Sequence, residues 1–283
     1  MAMLICRDPA PALRPFVTTL WASEQQTDSE VPASGRELML PTGLMHVAFR
    51  LSDSAFRVLD NLDDLAGRPM GHAIVAGART TFVIRDLSQP ARSVGAQLQP
   101  GAAQLLFGVP ADELAERYTP LGDVCGRWAR EARQRLLEAG SLQQQLDTLE
   151  SLLVARLPMV RGLHPVVACA LERFAASTEV REVVRQSGYS HRRFIALFRR
   201  AAGLSPKTYC RVLRFRRAVE RTFAARDASL ADIALDVGYS DQPHFTREFR
   251  AFAGISPLQY RLASAVHANH VPIRISGNIA RGQ

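Results

Sequence analysis

The amino-acid sequence predicts an α+β chain: a β-barrel-like N-terminal domain carrying helices, then an all-α domain built from two helix-turn-helix units. Three observations carry this reading. Short apolar stretches separated by turn formers run over about residues 36–107. One block of residues occurs twice between Gly188 and Tyr260. Charge is also divided unevenly along the 283 residues.

The charge division sets the domain boundaries. Residues 1–160 hold 15 basic against 18 acidic side chains, residues 161–261 hold 18 against 9, and the tail adds two arginines. Basicity is thus confined to the segment holding the repeat, as expected of a nucleic-acid binder. The expected units are a sensing or dimerising domain over 1–157, a linker over 158–162, a DNA-binding domain over 163–261 and a tail over 262–283. No apolar run reaches 18 residues and no basic stretch leads an apolar core at the N-terminus. A chain with no membrane association and a cytoplasmic location is therefore expected.

Residues 1–35 read as an entry segment with several prolines, followed by a polar loop from Ser23 to Ser34. From Glu37 onward, apolar stretches recur at Leu38–Leu40, Met45–Leu51, His72–Val75, Thr81–Ile84 and Ser93–Leu98. Gly35, Pro41-Thr42-Gly43, Gly67, Gly77 and Pro100-Gly101 punctuate them. Such spacing predicts a β-barrel or sandwich, and a small barrel can hold one small ligand. The sequence nominates no residues lining such a site.

His46 and His72 stand apart, without a His-x-His pair. Cys6, Cys125, Cys169 and Cys210 form no CxxC pair. The expectation is four reduced thiols, no metal site, no cofactor and no catalytic residue.

From Pro110 the pattern turns helical. Asp112-Glu113-Leu114 opens a short helix, Asp123 to about Ala139 a longer one ended at Gly140, and Ser141 with Gln144 forms a capping box for a third. Leu142, Leu146, Leu149 and Leu153 follow heptad spacing on that third helix. The seam packs either on the chain's own barrel or on a second copy, as a homodimer. His164-Pro165 starts the next helix, with Val167, Leu171 and Phe174 facing its core. After Arg261 periodicity is lost, and the tail is expected to be loosely packed.

The repeat reads GYSHRRFIALFRRAAGLSPKTY from Gly188 and GYSDQPHFTREFRAFAGISPLQY from Gly238. Gly188 and Gly238 supply the backbone that ends a helix. Ser190 and Ser240 are good N-caps. The next helix sets Phe194 and Phe198, or Phe245 and Phe249, on one face at i and i+4. It stops at Gly203 or Gly254, and Ser-Pro restarts the chain. Ser229 with Asp232 similarly opens the helix before the second glycine. Between the copies, Pro206 to about Ala225 runs without an internal breaker, a rod of roughly 28 Å. Successive major-groove faces recur about every 34 Å, so two recognition helices on such a rod can enter adjacent groove segments.

Gly188-Tyr189-Ser190, Phe194, Leu197-Phe198-Arg199, Gly203-Leu204-Ser205-Pro206, Arg214 and Ala218 resemble the AraC/XylS family of transcription regulators. The resemblance covers roughly Leu163 to Arg261. Its most telling run goes from Ile233-Ala234 through Val237-Gly238-Tyr239-Ser240 and Phe245-Thr246-Arg247-Glu248-Phe249-Arg250 to Gly254-Ile255-Ser256-Pro257 and Tyr260-Arg261. The resemblance implies double-stranded DNA and RNA polymerase as partners. It also implies a cupin-like sensing domain, of divergent form, in which a small-molecule effector is one option. Where family members commonly carry a polar pair ending in arginine, this chain has Ile195 and Ala196.

With the phenylalanines inward, the base-reading positions are His191, Arg192, Ile195 and Ala196 in the first unit, and Gln242, Pro243, His244, Thr246 and Arg247 in the second. Arg199, Arg250 and Arg214 are expected on phosphates. Six to eight phosphate contacts, the linker included, would give a salt slope of roughly −5 to −7. The competing reading is an enzyme, either a catalytic cupin or a DNA-repair methyl acceptor, fused to the same module. It would need clustered metal ligands or a reactive cysteine cluster, and neither is apparent in the sequence.

Overall fold

The structure is a computed structural model that describes residues 3–25, 35–64, 66–157, 162–263, 265 and 267–273. The strands are β1 (Met3–Arg7), β2 (Val17–Gln25), β3 (Arg36–Met39), β4 (Met45–Arg50), β5 (Arg57–Val58), β6 (Arg68–Pro69), β7 (Ala73–Ala76), β8 (Val83–Asp86), β9 (Ala91–Leu98), β10 (Tyr118–Pro120) and β11 (His270–Pro272). The helices of the first half are α1 (Ala102–Phe107), α2 (Ala111–Leu114), α3 (Leu121–Cys125), α4 (Arg127–Glu138) and α5 (Leu142–Val154). Those of the second half are α6 (Pro165–Ala175), α7 (Val180–Ser187), α8 (His191–Ala202), α9 (Pro206–Ala224), α10 (Leu230–Asp236), α11 (Gln242–Ala253) and α12 (Pro257–Leu262). The α+β order expected from the sequence is present.

The strands form two principal sheets rather than a closed barrel. The larger has the order β1-β2-β9-β4-β7-β10, the smaller β11-β3-β8, and β5 pairs with β6. Along β4, Met45, Val47 and Phe49 are buried on one face. His46, Ala48 and Arg50 point to the other, into a cavity. The same alternation of period two sends Thr19, Trp21 and Ser23 of β2, and Ser93 and Gln97 of β9, into that cavity. Gly95 lies between the last two, and a Cβ there would overlap the Trp21 ring and the Val47 carbonyl oxygen.

Helices cover the other face. α5 packs on β2 and β9, and α4 sets Trp128 edge-on to Phe49 at 6.2 Å. Leu146, Leu149 and Leu153 are wholly buried and Leu142 is 6% exposed. Of the two partners left open for this seam, the chain's own fold or a second copy, the structure gives the chain's own sheet. A heptad stripe fits a flat apolar sheet as readily as a second helix.

Other expectations are corrected as well. Residues 3–25 hold two paired strands, with the prolines of the entry segment in the turn between them. Residues 26–34 of the expected polar loop and 158–161 of the expected linker lie outside the described residues. Ala102–Phe107, at the end of the predicted strand region, is helical. The helix expected over Asp123–Ala139 is two helices, broken at Gly126, where φ is +54°. Ser141 does cap α5, accepting from Gln144 N, while the Gln144 side chain accepts from Gly140 N.

The largest difference lies in the tail, of which 274–283 is outside the described residues. His270–Pro272 forms β11 and pairs antiparallel with β3, placing Val271 opposite Leu38. Val271 and Ile273 are buried. The Tyr260 hydroxyl donates to Ala268 O at 2.7 Å, and Leu40 N donates to Asn269 O. Three strand residues are too few to show a period.

The two halves of the chain touch along the ends of α8 and α11. Gly101 N donates to Ala201 O at 2.7 Å, and Phe82 N donates to Phe252 O at 2.9 Å.

Replacing Leu146 with alanine should destabilise the protein by about 2–5 kcal/mol in chemical denaturation and leave its sedimentation coefficient unchanged. A change of oligomeric state without loss of stability would show that the seam faces a second copy.

Candidate nucleic-acid interface and internal cavity

The second half repeats one construction in three dimensions. Gly188 follows α7 at φ +71° and Gly238 follows α10 at φ +86°, backbone that glycine adopts without strain. Ser190 then caps α8, accepting from Arg193 N. α11 is capped by Asp241, which accepts from His244 N at 2.6 Å, and not by Ser240 as expected. Asp241 is the residue inserted in the second copy. It keeps cap and phenylalanine face in register: 190, 194 and 198 become 241, 245 and 249. Ser240 serves the helix differently, through a 3.0 Å hydrogen bond between its Oγ and His244 Nδ1.

The inward faces are aromatic. Phe198 meets Tyr209 at 5.4 Å in the first unit, and Phe249 meets Tyr260 at 5.6 Å in the second. These pairs are equivalent in the repeat. Edge-on contacts of this kind add to plain area burial. α9 spans 19 residues, as expected, and Phe215 on it packs on Phe249 at 5.1 Å. Ser205 and Ser256 cap the helices that begin with Pro206 and Pro257, and Ser256 with Gln259 completes a capping box.

A carboxylate ties α9 to α11. Glu248 is 6% exposed and accepts from Arg211 Nε at 2.7 Å and Arg214 Nη2 at 2.9 Å. Burial pushes the Glu248 carboxyl up, but the hydrogen bonds from Arg211 and Arg214, with the charge of Arg214, outweigh it and leave the net shift downward. Arg214 also stacks over Tyr239 at 4.4 Å and reaches Gly238 O. The expectation of Arg214 on a phosphate is corrected: its guanidinium is engaged inside the protein. Neighbouring linker arginines are similarly committed. Arg217 donates to Ser177 Oγ and Ala175 O, and Arg221 pairs with Asp236 at 3.1 Å.

The remaining predicted residues lie on the solvent side of α8 and α11. His191, Arg192, Ala196 and Arg199 are exposed and Ile195 is half-buried; Gln242, Pro243, Arg247 and Arg250 are exposed and His244 and Thr246 are half-buried. His244 is held by Ser240 and stands edge-on to Tyr239 at 5.3 Å. Arg192, Arg199, Arg247 and Arg250 have no ion-pair or hydrogen-bond partner among the described residues. Arg200 is equally free and was missed by sequence reasoning; its place beside Arg199 at the end of the helix was the available signal. Arg193, by contrast, lies over Tyr189 at 4.5 Å.

The cavity between the two sheets of the first half has a volume of about 1040 Å³. Glu37, in its wall, pairs with Arg85 at 3.1 Å and with His270 Nδ1 at 2.9 Å. The tail strand thus contributes a wall residue. His46 is held near pKa 4, first by burial and then by the charges of Arg79 and His270, so its ring is neutral at physiological pH. Burial and the charge of Arg85 pull Arg50 down to about 10 despite the opposing charge of Asp86, which leaves it a cation.

No cluster of three metal-ligating side chains occurs among the described residues. All four cysteines are unbridged. No described helix is long and apolar enough to cross a membrane. His72, away from the cavity centre, bonds Asp53 O at 3.0 Å.

Comparison with known proteins divides the chain as the charge does. Residues 183–263 match the helix-turn-helix domain family, and residues 7–120 match a domain of unknown function, DUF6597. The HTH-type transcriptional regulator YkgA of Escherichia coli (strain K12) is 33% identical over 107 residues, 38% of this chain and 43% of that protein. The HTH-type transcriptional activator AarP of Providencia stuartii is 30% identical over 82 residues, 29% of this chain and 60% of that protein. The match therefore spans less than two thirds of either relative. Among solved structures, ToxT K231A from Vibrio cholerae strain SCE256 aligns over 90% of this chain and 99% of its own at 9% identity, with a TM-score of 0.46.

Glu248→Gln should lower stability by about 1–3 kcal/mol at pH 7, because two arginines lose their counter-charge. The folded-state pKa of Glu248 is depressed, so its contribution is full above the ordinary value of 4.5 and is lost as pH falls through the lower folded value. The gap between wild type and variant in denaturant midpoint should close over that acid range. A gap independent of pH would show that the carboxylate charge is not what holds α9 to α11.

Proposed function

We infer that this chain, whose residues 183–263 belong to the AraC type of helix-turn-helix regulators, is a sequence-specific DNA-binding regulator of transcription. The observation that carries the inference is the pair of capped recognition helices with unpaired arginines, joined by a helix of 19 residues. At 1.5 Å per residue that helix is about 28 Å long, close to the 34 Å repeat of one duplex face.

In this reading α8 and α11 enter adjacent major-groove segments. Arg247 reads guanine through two parallel hydrogen bonds and Gln242 reads adenine, with Pro243, His244 and Thr246 beside them. In the first unit His191 and Arg192 reach base edges, and Ile195 and Ala196 offer only apolar contact, such as to a thymine methyl. Arg199, Arg200 and Arg250 sit later on their helices and neutralise phosphates. The partners are double-stranded DNA and RNA polymerase, the place of action is the cytoplasm, and the chemistry is binding rather than catalysis. The cavity of the first half is the seat of a small-molecule effector. Its volume suits one ligand of drug-like size.

Arg247→Ala should cost about 1–3 kcal/mol on a duplex selected from a random pool and much less on a scrambled one. Arg250→Ala should weaken both alike. Equal losses on both duplexes for Arg247→Ala would remove it from the base readers. With Arg199, Arg200 and Arg250 on phosphates, log K should fall against log salt with a slope of about −2.7, shallower than the sequence alone implied. A slope of about −2 or shallower would mean that only one unit touches DNA.

A further inference from the structure

The cavity is asymmetric in charge. Glu37 is already matched by Arg85 and His270. Two other guanidiniums have no hydrogen-bonded carboxylate among the described residues, although Asp86 in the same wall acts on Arg50 through its charge. Arg50 is 7% exposed, lies over Phe56 at 4.5 Å, and its Nε has no hydrogen-bond partner among the described residues. Arg79 lies over Tyr118 at 4.3 Å, and its Nη2 is buried and without a partner among the described residues. Both line the cavity. Guanidinium N–H groups buried without a carboxylate or carbonyl to receive their hydrogens are costly, and an anion entering the space would relieve both. The rest of the wall contributes Trp21, Phe56 and Ile74, which favours an apolar body behind the anionic group.

Arg79 also has an unusual position in the chain. It belongs to the loop between β7 and β8. At Ala78 the loop abuts Gly203, the residue that ends the first recognition helix: a Cβ on Gly203 would lie 3.4 Å from the Ala78 Cβ and 3.1 Å from Ala111 O. At Phe82 the same loop abuts Gly254, which ends the second recognition helix, and a Cβ there would overlap the Phe82 ring. Gly203 and Gly254 are equivalent positions of the repeat. One loop thus carries a cavity cation in its middle and rests, on either side, on the C-terminal ends of both recognition helices.

We propose that the cavity binds a small organic anion with an apolar body, clamped between Arg50 and Arg79, and that the Arg79 loop carries its presence to both recognition helices. The second clause rests on the regulator reading above; the first does not.

A matched pair of dyes tests the site: anilinonaphthalene sulfonate, and N-phenylnaphthylamine, which has the same body without the anion. Charge-assisted hydrogen bonds predict that the wild-type chain binds the sulfonate about tenfold or more tightly than the neutral dye. Arg50→Met and Arg79→Met should each bring that ratio towards one while neutral-dye affinity stays within about twofold, which shows the cavity intact. Displacement of the sulfonate from wild type by octanoate but not by octanol provides the same test without any variant. A ratio near one in wild type, a ratio unchanged in both variants, or equal displacement by acid and alcohol would overturn the anion site.

For the loop, hydrogen exchange should show the Phe82 amide and the last turns of α8 and α11 responding to the sulfonate in wild type. In Arg79→Met they should not respond. An identical response in both would overturn the coupling. Failure of the regulator reading is separate: it would appear as no sequence preference in selection from random duplexes, with the dye ratio unaffected.

Discussion

Two missing methyl groups hold the two halves of this protein in contact. Gly203 and Gly254 end the recognition helices in left-handed backbone, at φ +80° and +72°. Having no Cβ, they let Ala111, Ala78 and Phe82 of the first half close directly on those ends. The Phe82 to Phe252 and Gly101 to Ala201 backbone hydrogen bonds depend on that closeness. A helix terminus usually meets water with unsatisfied carbonyls; here two of the carbonyls in those last turns are satisfied by the other half of the chain. The glycines therefore do more than terminate helices, and both copies of the repeat meet the same need.

The repeat made most of the second half legible. Cap, phenylalanine face, terminating glycine and Ser-Pro restart are local rules, and each acts within about one helical turn of the residue that states it. Even the shift of the cap to Asp241 was written in the one-residue insertion. What could not be read was the pairing of Glu248 with Arg211 and Arg214, which lie 37 and 34 positions away. Sequence gave the linker arginines one common character. Tertiary contact commits Arg211, Arg214, Arg217 and Arg221 of the linker to partners within the protein, and leaves the free arginines on α8 and α11.

The first half was less legible for a specific physical reason. Strand reading depends on apolar and polar residues alternating between core and water. Here the second face of the sheet looks into a cavity with cationic and hydroxyl-bearing walls, so the polar residues His46, Arg50, Ser93 and Gln97 do not mark a side that meets water. β2 suffers most, because a register shift between Val17 and Thr19 breaks its alternation and the prolines ahead of it read as coil. The Leu142–Leu153 stripe was visible, but heptad spacing records only that one helix face is buried. It does not say what buries it.

β11 also constrains how the molecule is made. His270 meets Glu37 across 233 residues of chain, and the third strand of the smaller sheet lies beyond every helix of the helix-turn-helix segment. Closing so long a loop carries an entropic cost, though one that grows only slowly with length. On the ribosome the N-terminal half emerges first and begins folding first, yet this sheet must wait with one edge open until the helical segment has been synthesised. Completion of the smaller sheet thus cannot precede synthesis of the whole helical segment. Chains truncated before His270 would keep an unpaired strand edge on β3, a template for adhesion between nascent molecules.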